Sequence, residues 1–554
     1  MPNVDDVAAD YVEEMAAADP AAATAWGVAG HDDKLPDLSP QGLEERAELQ
    51  RRALAALDLA PKTSEHDRIA SEVMAERLRV GLEMYESGDD LRPLRVLYSP
   101  QDRVRRSFDL MRLEDEADWE VAAARLRAVP EALRGERQTL QEGLSRGVVN
   151  ARRQVLACAV QCDTWGGRGN PEDSFFAGLV GRYPGGPSAS SLQGAAEAAA
   201  RAYRELGGWL RETYLPKADP TDAAGKERYA LAARYFTGAE LDLEETYAFG
   251  WDELYRIEKR MAAVCEEILP GASLREVIDH LEADPARVIE GVDAFQHWNQ
   301  ELIDTTIVEL NGEHFDIAEP IRRCQAMIAP AGGAAAMYYT GPSEDLSRPG
   351  RTWYPTLGKT RFPLWREVSI CYHEGVPGHH LQVAQVRLRS DRLNRFQRLA
   401  GFTSGHGEGW ALYAERLMGE LGYLEDPAFA LGMLSAQAMR AVRVVVDIGM
   451  HLELAIPVGE RYHPGERWTP ELALPFVIER SCFPADFMAS EVDRYLGLPG
   501  QAISYKVGER VWLASRESAK RRKGAGFDLK DFHRFALDLG GMGLDQLADE
   551  LERY

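Results

Sequence analysis

Residues 371–382 read CYHEGVPGHHLQ. Three histidines and a glutamate within eight positions are residue types that can hold and use a catalytic zinc ion, with imidazoles as ligands and a carboxylate to take a proton from water. The ordinary zinc-protease helix spaces them as H-E-x-x-H, because histidines at i and i+4 share one face and the glutamate beside the first reaches the activated water. Here Pro377 stands four residues after His373, and the next histidines are His379 and His380. Six residues of straight helix separate Cα atoms by roughly 9 Å and turn them to different faces. Pro377 removes a helical hydrogen bond and collides with the carbonyl four residues back, so such an insertion makes a helix bulge or kink. A two-residue bulge returns His379 to the place of the i+4 ligand and points His380 elsewhere. His379 is preferred as second ligand because its Gly-His step matches that of ordinary zinc helices. The alternative is a helix that ends at Pro377-Gly378 and carries surface histidines.

A catalytic zinc takes three protein ligands and keeps one position open. The segment FTSGHGEGWALYAERLMGE, 402–420, runs from a Gly-rich loop into a helix, with Glu408 at its start and Glu415 two turns on. Glu408 is the candidate third ligand. Taken alone it reads better as a first-turn glutamate favoured by the helix dipole. Peptide hydrolysis also needs a donor for the developing oxyanion, and the candidates are Tyr505 in PGQAISYKVG and His451 in RVVVDIGMH. Lys506, beside Tyr505, reads as a solvated lysine. Arg443, Asp447 and His451 recur every four residues and share one helix face. They suit either a network that orients metal ligands or a structural ion-pair ladder. His380 and Glu415 are further candidates for supporting the ligands.

AAAMYYTGP, 334–342, reads as a strand whose free edge could pair with an extended substrate, flanked by Tyr338 and Tyr339. Arg348 and Arg351 are candidates for a substrate carboxylate, a geometry that arginine suits. GLSRG, 143–147, matches the serine-hydrolase elbow G-x-S-x-G, but polar helical sequence precedes it where that elbow needs an apolar strand.

Several of these stretches together resemble one family. EGWALYAE looks like the EGFA-x-x-x-E segment of the large zinc aminopeptidases, whose first glutamate binds the metal. MYYTGPSEDLSRPGRTWYP, YHEGVPGHHLQ, EGWALYAE, RAVRVVVDIGMH and RYLGLPGQAISYKVG closely resemble the bacterial "domain of unknown function 885" family. Its members look like gluzincin metallopeptidases with an expanded HE-x-x-P-G-H-H motif. The resemblance implies a helical, zinc-peptidase-like fold with a deep cleft, His373, His379 and Glu408 as metal ligands, and Glu374 as general base. The chain departs from it at His406-Gly407, where members often carry an aromatic residue or Thr before EGW.

The elements that must position these residues are mostly helices. The chain has 554 residues, 45% apolar and 28% charged, rich in Leu, Ala, Glu and Arg, which favour helix. Helical patterns cover roughly 3–20, 41–60, 65–88, 116–148, 150–163, 195–216, 220–236, 242–268 and 284–311. The first strand is expected at 334–342 and the second at 351–356. The expected architecture is therefore mainly α with a small β element beside the active site. RYPGGPSASSLQG, 182–194, is the best linker candidate. The expected division is an N-terminal helical region, 1–215, and a catalytic region, 216–554, with a soft boundary.

The net charge of −25 argues against nucleic acid, whose binding needs clustered Lys and Arg, and against an anionic membrane surface. The opening MPNVDDVAADYVEE lacks the basic start and apolar stretch of a secretory signal, and no run of eighteen apolar residues suggests a membrane span. The six cysteines do not form a disulfide scaffold, and Cys158 and Cys162 read as core thiols. The expectation is a cytoplasmic zinc-dependent hydrolase of peptide or amide bonds, of carboxypeptidase or dipeptidase type. The alternatives are a narrow amidase acting on a small acylated or γ-linked amide, or a zinc-binding protein without catalysis. The oligomeric state is not legible.

Overall fold

Helix formers dominate the chain, and the computed structural model, which describes residues 2–330 and 336–554, is mainly α. The chain forms two compact units, Met1–Asp222 and Ala223–Tyr554. The division expected from sequence, at 215/216, falls seven residues before this one.

The first unit is built around α1 (Glu116–Arg146), α2 (Arg152–Gly166) and α3 (Ala189–Trp209), which pack on one another. α1 starts at a capping box between Asp115 and Asp118 and stops at Gly147, whose φ of 71° ends the helix in the left-handed region. Its apolar stripe buries Trp119, Leu126 and Leu133 against Trp165 and Tyr203. The proposed linker 182–194 lies inside this unit. Glu116 ties it down by accepting from the Tyr183 hydroxyl (2.6 Å) and the Ser188 N–H (3.0 Å), and α3 begins before it ends. GLSRG ends α1, and the Ser145 hydroxyl donates to the Glu142 carbonyl. Cys158 and Cys162 are buried free thiols.

Glu136 is fully buried on α1, and burial pushes its pKa up from 4.5 to about 8, with only the Gln101 N–H opposing. Between those values the native protein holds a proton that the unfolded chain has released, so stability falls as pH rises through that window. Glu136→Gln removes the ionisation. The variant is expected to melt with wild type near pH 5 and several degrees higher near pH 9, an effect on the order of a few kcal/mol. Calorimetric melts of both chains at both pH values check it, and coincident melts near pH 9 would refute it.

The second unit is centred on α4 (Leu243–Ile268) and α8 (Pro427–Leu452), with β1 (Cys324–Ile328), β2 (Tyr338–Thr340), β3 (Gly350–Tyr354), α5 (Leu364–Glu374), α6 (His379–Leu388), α7 (Ser404–Glu420) and α9 (Ser504–Lys523) around them. By length and composition α8 could cross a membrane, although it holds no run of eighteen apolar residues. Its most apolar window is 89% buried inside the protein, so the core accounts for its composition. α5 crosses α8 where Gly432 leaves room, since a Cβ there would lie 1.8 Å from the Trp365 carbonyl oxygen.

The strands form a three-stranded sheet in the order β1-β3-β2, β1 parallel and β2 antiparallel to β3, with Tyr339 opposite Thr352. β2 is therefore an edge strand. It is shorter than the expected 334–342, of which Ala334 and Ala335 lie outside the described residues. β1 and a further antiparallel pair, Val288–Glu290 with Arg361–Pro363, were not anticipated. The helix expected from 284 starts at Val292. Strands of three to five residues carry too few alternations to register as a period-2 pattern.

Candidate metal centre

The segment CYHEGVPGHHLQ is neither one bulged helix nor a helix end. α5 stops at Glu374, the chain turns through Gly375–Gly378, and α6 starts at His379. The turn is closed by the Gly375 N–H on the Cys371 carbonyl (2.8 Å), the Gly378 N–H on Tyr372 (3.0 Å) and the His380 N–H on Gly375 (3.0 Å). The Trp410 indole N–H holds the Pro377 carbonyl from α7 (2.9 Å). Gly378 is required sterically, because a Cβ there would lie 2.0 Å from the His373 carbonyl oxygen and 2.4 Å from that of Tyr372.

A second close approach brings α7 to α9. A Cβ on Gly409 would lie 2.4 Å from the Gly508 carbonyl carbon, and one on Gly508 would lie 2.0 Å from the Gly405 carbonyl oxygen. The glycines of SGHGEG and SYKVG thus let two helix backbones touch, and this crossing sets Glu408 and Tyr505 on the same site.

His373, His379 and Glu408 converge, with one ligand atom from each lying within 4.8 Å of the others. Glu408 Oε2 is 3.3 Å from His373 Nε2 and 3.2 Å from His379 Nε2. The two imidazoles meet edge to face, centroids 4.9 Å apart. His373 Nδ1 lies 2.7 Å from Glu415 Oε1, and the Ser369 hydroxyl donates to the other oxygen of Glu415 (2.6 Å). Arg440 Nη2 stands 3.3 Å from Glu415 Oε1. Glu415 is thus a buried carboxylate that fixes the His373 ring with its Nδ1 proton toward Glu415 and its Nε2 lone pair toward Glu408.

That arrangement sets acceptor against acceptor. Glu408 Oε2 is buried and makes no directed hydrogen bond, although two imidazole nitrogens face it. A cation at the convergence point resolves this. Two imidazole nitrogens and one carboxylate oxygen are the three-ligand set of a catalytic zinc site with one position left open. Without a metal, protons take up the same role. Burial lowers the His373 pKa, yet Glu408 and Glu415 outweigh it and carry it up to about 9. Burial likewise opposes Glu408, but His379 and His373 hold it well below the usual carboxylate range.

Glu374 is buried next in sequence to His373, and its Oε2 has no partner among the described residues. Burial raises its pKa, opposed by His373 and His379. Tyr505 lies near-parallel to His373 with ring centroids 6.3 Å apart and an Arg443 guanidinium 4.4 Å from its own centroid. Its hydroxyl has no hydrogen-bond partner among the described residues. Arg443 in turn bonds the Tyr495 hydroxyl (3.0 Å) and Glu491 (2.6 Å).

Other expected residues take different places. His380 donates from Nε2 to the Ile321 carbonyl (2.8 Å), and its Nδ1 meets the Tyr339 hydroxyl (2.9 Å), so both ring nitrogens are used by the scaffold. His451 is not available as a proton donor, because its Nδ1 accepts the Ala224 N–H (3.1 Å) and its Nε2 faces the Tyr495 carbonyl (3.1 Å). Asp447 accepts from the Tyr229 hydroxyl (2.7 Å) and the Gly500 N–H (3.0 Å), anchoring the loop that leads to Tyr505. Arg443, Asp447 and His451 therefore bond the surrounding scaffold, with His451 Nε2 3.8 Å from Asp447 Oδ1, and none of the three contacts a metal ligand directly. Lys506 is not solvated. It is fully buried, bonding Glu509 (2.6 Å), Glu253 (2.9 Å) and the Gln437 side chain, since a desolvated ammonium needs such partners.

Tyr339 lays its ring beside His379, centroids 6.4 Å apart, whereas Tyr338 stacks on Trp353. Arg351 bonds the Gln325 side chain across the sheet (3.1 Å). His406 is buried, its Nδ1 taken by Gln382 (3.0 Å). Ser369 and Arg440 were not singled out from sequence. Their signals are helical spacing alone, Ser369 four residues before His373 and Arg440 three before Arg443.

A family model described as a bacterial protein of unknown function, DUF885, matches residues 20–551. Two solved structures share the fold. A candidate lipoprotein from Colwellia psychrerythraea is 21% identical, with a TM-score of 0.85 over 100% of this chain and 99% of that one. A candidate lipoprotein of unknown function from Shewanella oneidensis is 16% identical, with a TM-score of 0.73 over 99% of each chain. No curated protein matches the chain.

Proposed function

Because this chain belongs to the DUF885 family of bacterial proteins, whose description assigns no activity, its function must be read from the site, and we propose a zinc-dependent hydrolase of peptide or amide bonds, gluzincin-like and of exopeptidase type. One observation carries the reading: His373, His379 and Glu408 offer ligand atoms to one point, beside a buried glutamate with a free oxygen. A bound zinc supplies the acidity that makes water a nucleophile near neutral pH and polarises the scissile carbonyl. Glu374 Oε2 takes the proton as the water oxygen attacks the amide carbon. As the C–N bond breaks, it passes that proton to the leaving nitrogen. The Tyr505 hydroxyl donates to the carbonyl oxygen as charge develops there. Glu415 keeps His373 in the tautomer that leaves Nε2 free. The edge of β2 offers backbone groups to an extended substrate.

Elemental analysis of the purified chain tests the metal set. We expect one zinc per chain, lost on His379→Ala and retained on His380→Ala. Glu415→Ala is expected to weaken zinc binding by about 10–100-fold, as removal of a histidine's outer partner does. A chain that takes up no zinc, or loses it on His380→Ala and not on His379→Ala, would sink the assignment. Zinc uptake without turnover of any short peptide or acylated amide would leave a metal-binding protein rather than an enzyme.

A further inference from the structure

Arg387 is a buried charge with no ion-pair partner among the described residues. It sits on α6, seven residues after His380 and so on the same face of that helix. It is 7% exposed, its Nε and Nη1 have no hydrogen-bond partner, and it makes no ion pair among the described residues. A desolvated guanidinium without a partner is strongly unfavourable, and a hydrophobic residue of similar volume would pack there at lower cost.

Its surroundings add positive charge. Glu344 is the carboxylate that Arg387 feels, and it is already held by Arg395, through two bonds of 2.9 Å, with Arg398 at 3.6 Å. Arg348 and Arg398 thus add positive charge around Arg387, in a chain whose net charge is −25. Burial pulls the Arg387 pKa down to about 10, which leaves it charged at neutral pH.

The location ties this surplus to the metal centre. Tyr339, whose ring lies beside His379 and whose hydroxyl meets His380, feels both Arg387 and Arg348. From His379 to Arg387 the helix rises about 12 Å, and helical side chains lean back toward the N-terminus. That lean shortens the span between the guanidinium and His379, and one or two residues of extended chain cover about 3–7 Å.

We propose that Arg387, with Arg348 beside it, receives the free carboxylate of the substrate, so that the hydrolase cuts one or two residues from a C-terminus. The planar fork of a guanidinium matches a carboxylate and rejects the corresponding amide, which leaves the charge unpaired. This rests on the hydrolase reading for what is cut, not for what is bound.

The test uses the full chain carrying Glu374→Gln, supplemented with zinc, and titrates di- and tripeptides with free amino termini, each as free acid and as C-terminal amide, by calorimetry. The acids are expected to bind at least about tenfold tighter than their amides, and Arg387→Met is expected to erase the difference. Arg387→Met should also melt a few degrees above its parent in the absence of peptide, because an unpaired buried charge has gone. A melt well below the parent would instead mark a structural arginine. Equal binding of acids and amides, no binding of either, or discrimination that survives Arg387→Met overturns the inference and leaves the hydrolase reading standing. A chain that takes up no zinc yet prefers acids through Arg387 does the reverse.

Discussion

Glu374→Gln is expected to keep zinc and lose about 10²–10⁴-fold in turnover, the range that positioned acid–base groups contribute. Glutamine keeps the volume and one carbonyl oxygen of the glutamate but accepts no proton at neutral pH. Nothing in the scaffold depends on the second oxygen, since Glu374 Oε2 has no partner among the described residues. The metal set does not include this side chain, so zinc content is expected to match wild type. The contrast is Glu408→Gln, which leaves the packing volume but replaces the charged oxygen facing both His373 Nε2 and His379 Nε2, and is expected to lose zinc. Parallel measurement of zinc content and peptide turnover separates the two roles. Full turnover in Glu374→Gln would end the base assignment. Loss of zinc in that variant would make Glu374 a ligand and recast the centre.

Much of this site was legible because its chemistry is local in sequence. His-Glu, Gly-His-His and a helix opening with glutamate each sit within a few residues, and only their convergence needed the fold. The division of labour between His379 and His380 was legible only as a preference, because it depends on Gly375–Gly378 folding as a turn between two helices rather than as a bulge within one. Residues on α8 misled for a different reason. A four-residue period places Arg443, Asp447 and His451 on one face, but a 26-residue helix spreads that face over several partners, and periodicity says nothing of which. Lys506 misled because a buried lysine is exceptional, and of its carboxylates only Glu509 is local, three residues on, while Glu253 comes from a separate helix. Arg387 was invisible for the same cause. Its meaning lies in partners it lacks, and absence of a partner is a tertiary fact. The mainly α architecture followed from composition and period. The sheet did not, since strands of three residues are defined by their neighbours.

Gly378→Ala is expected to cost about 3 kcal/mol or more of stability and to lower zinc affinity with it. The added methyl group would lie 2.0 Å from the His373 carbonyl oxygen and 2.4 Å from that of Tyr372, and both obstacles are backbone, which cannot rotate aside as a side chain can. Relief requires the turn to open, which breaks the Gly378 N–H bond to Tyr372 and the His380 N–H bond to Gly375. Those bonds fix where α6 starts relative to α5, and hence where His379 stands relative to His373. Stability and metal binding are therefore coupled at this position, and both measurements are expected to move. Gly208→Ala is the control. Gly208 lies within α3, where a Cβ would meet nothing within 4 Å, so alanine there is expected to stabilise by about 0.5–1 kcal/mol. Denaturant melts of the two variants, with and without zinc, read the difference directly. A Gly378→Ala chain that melts and binds zinc like wild type would show that the turn is not what sets the two histidines on one ion.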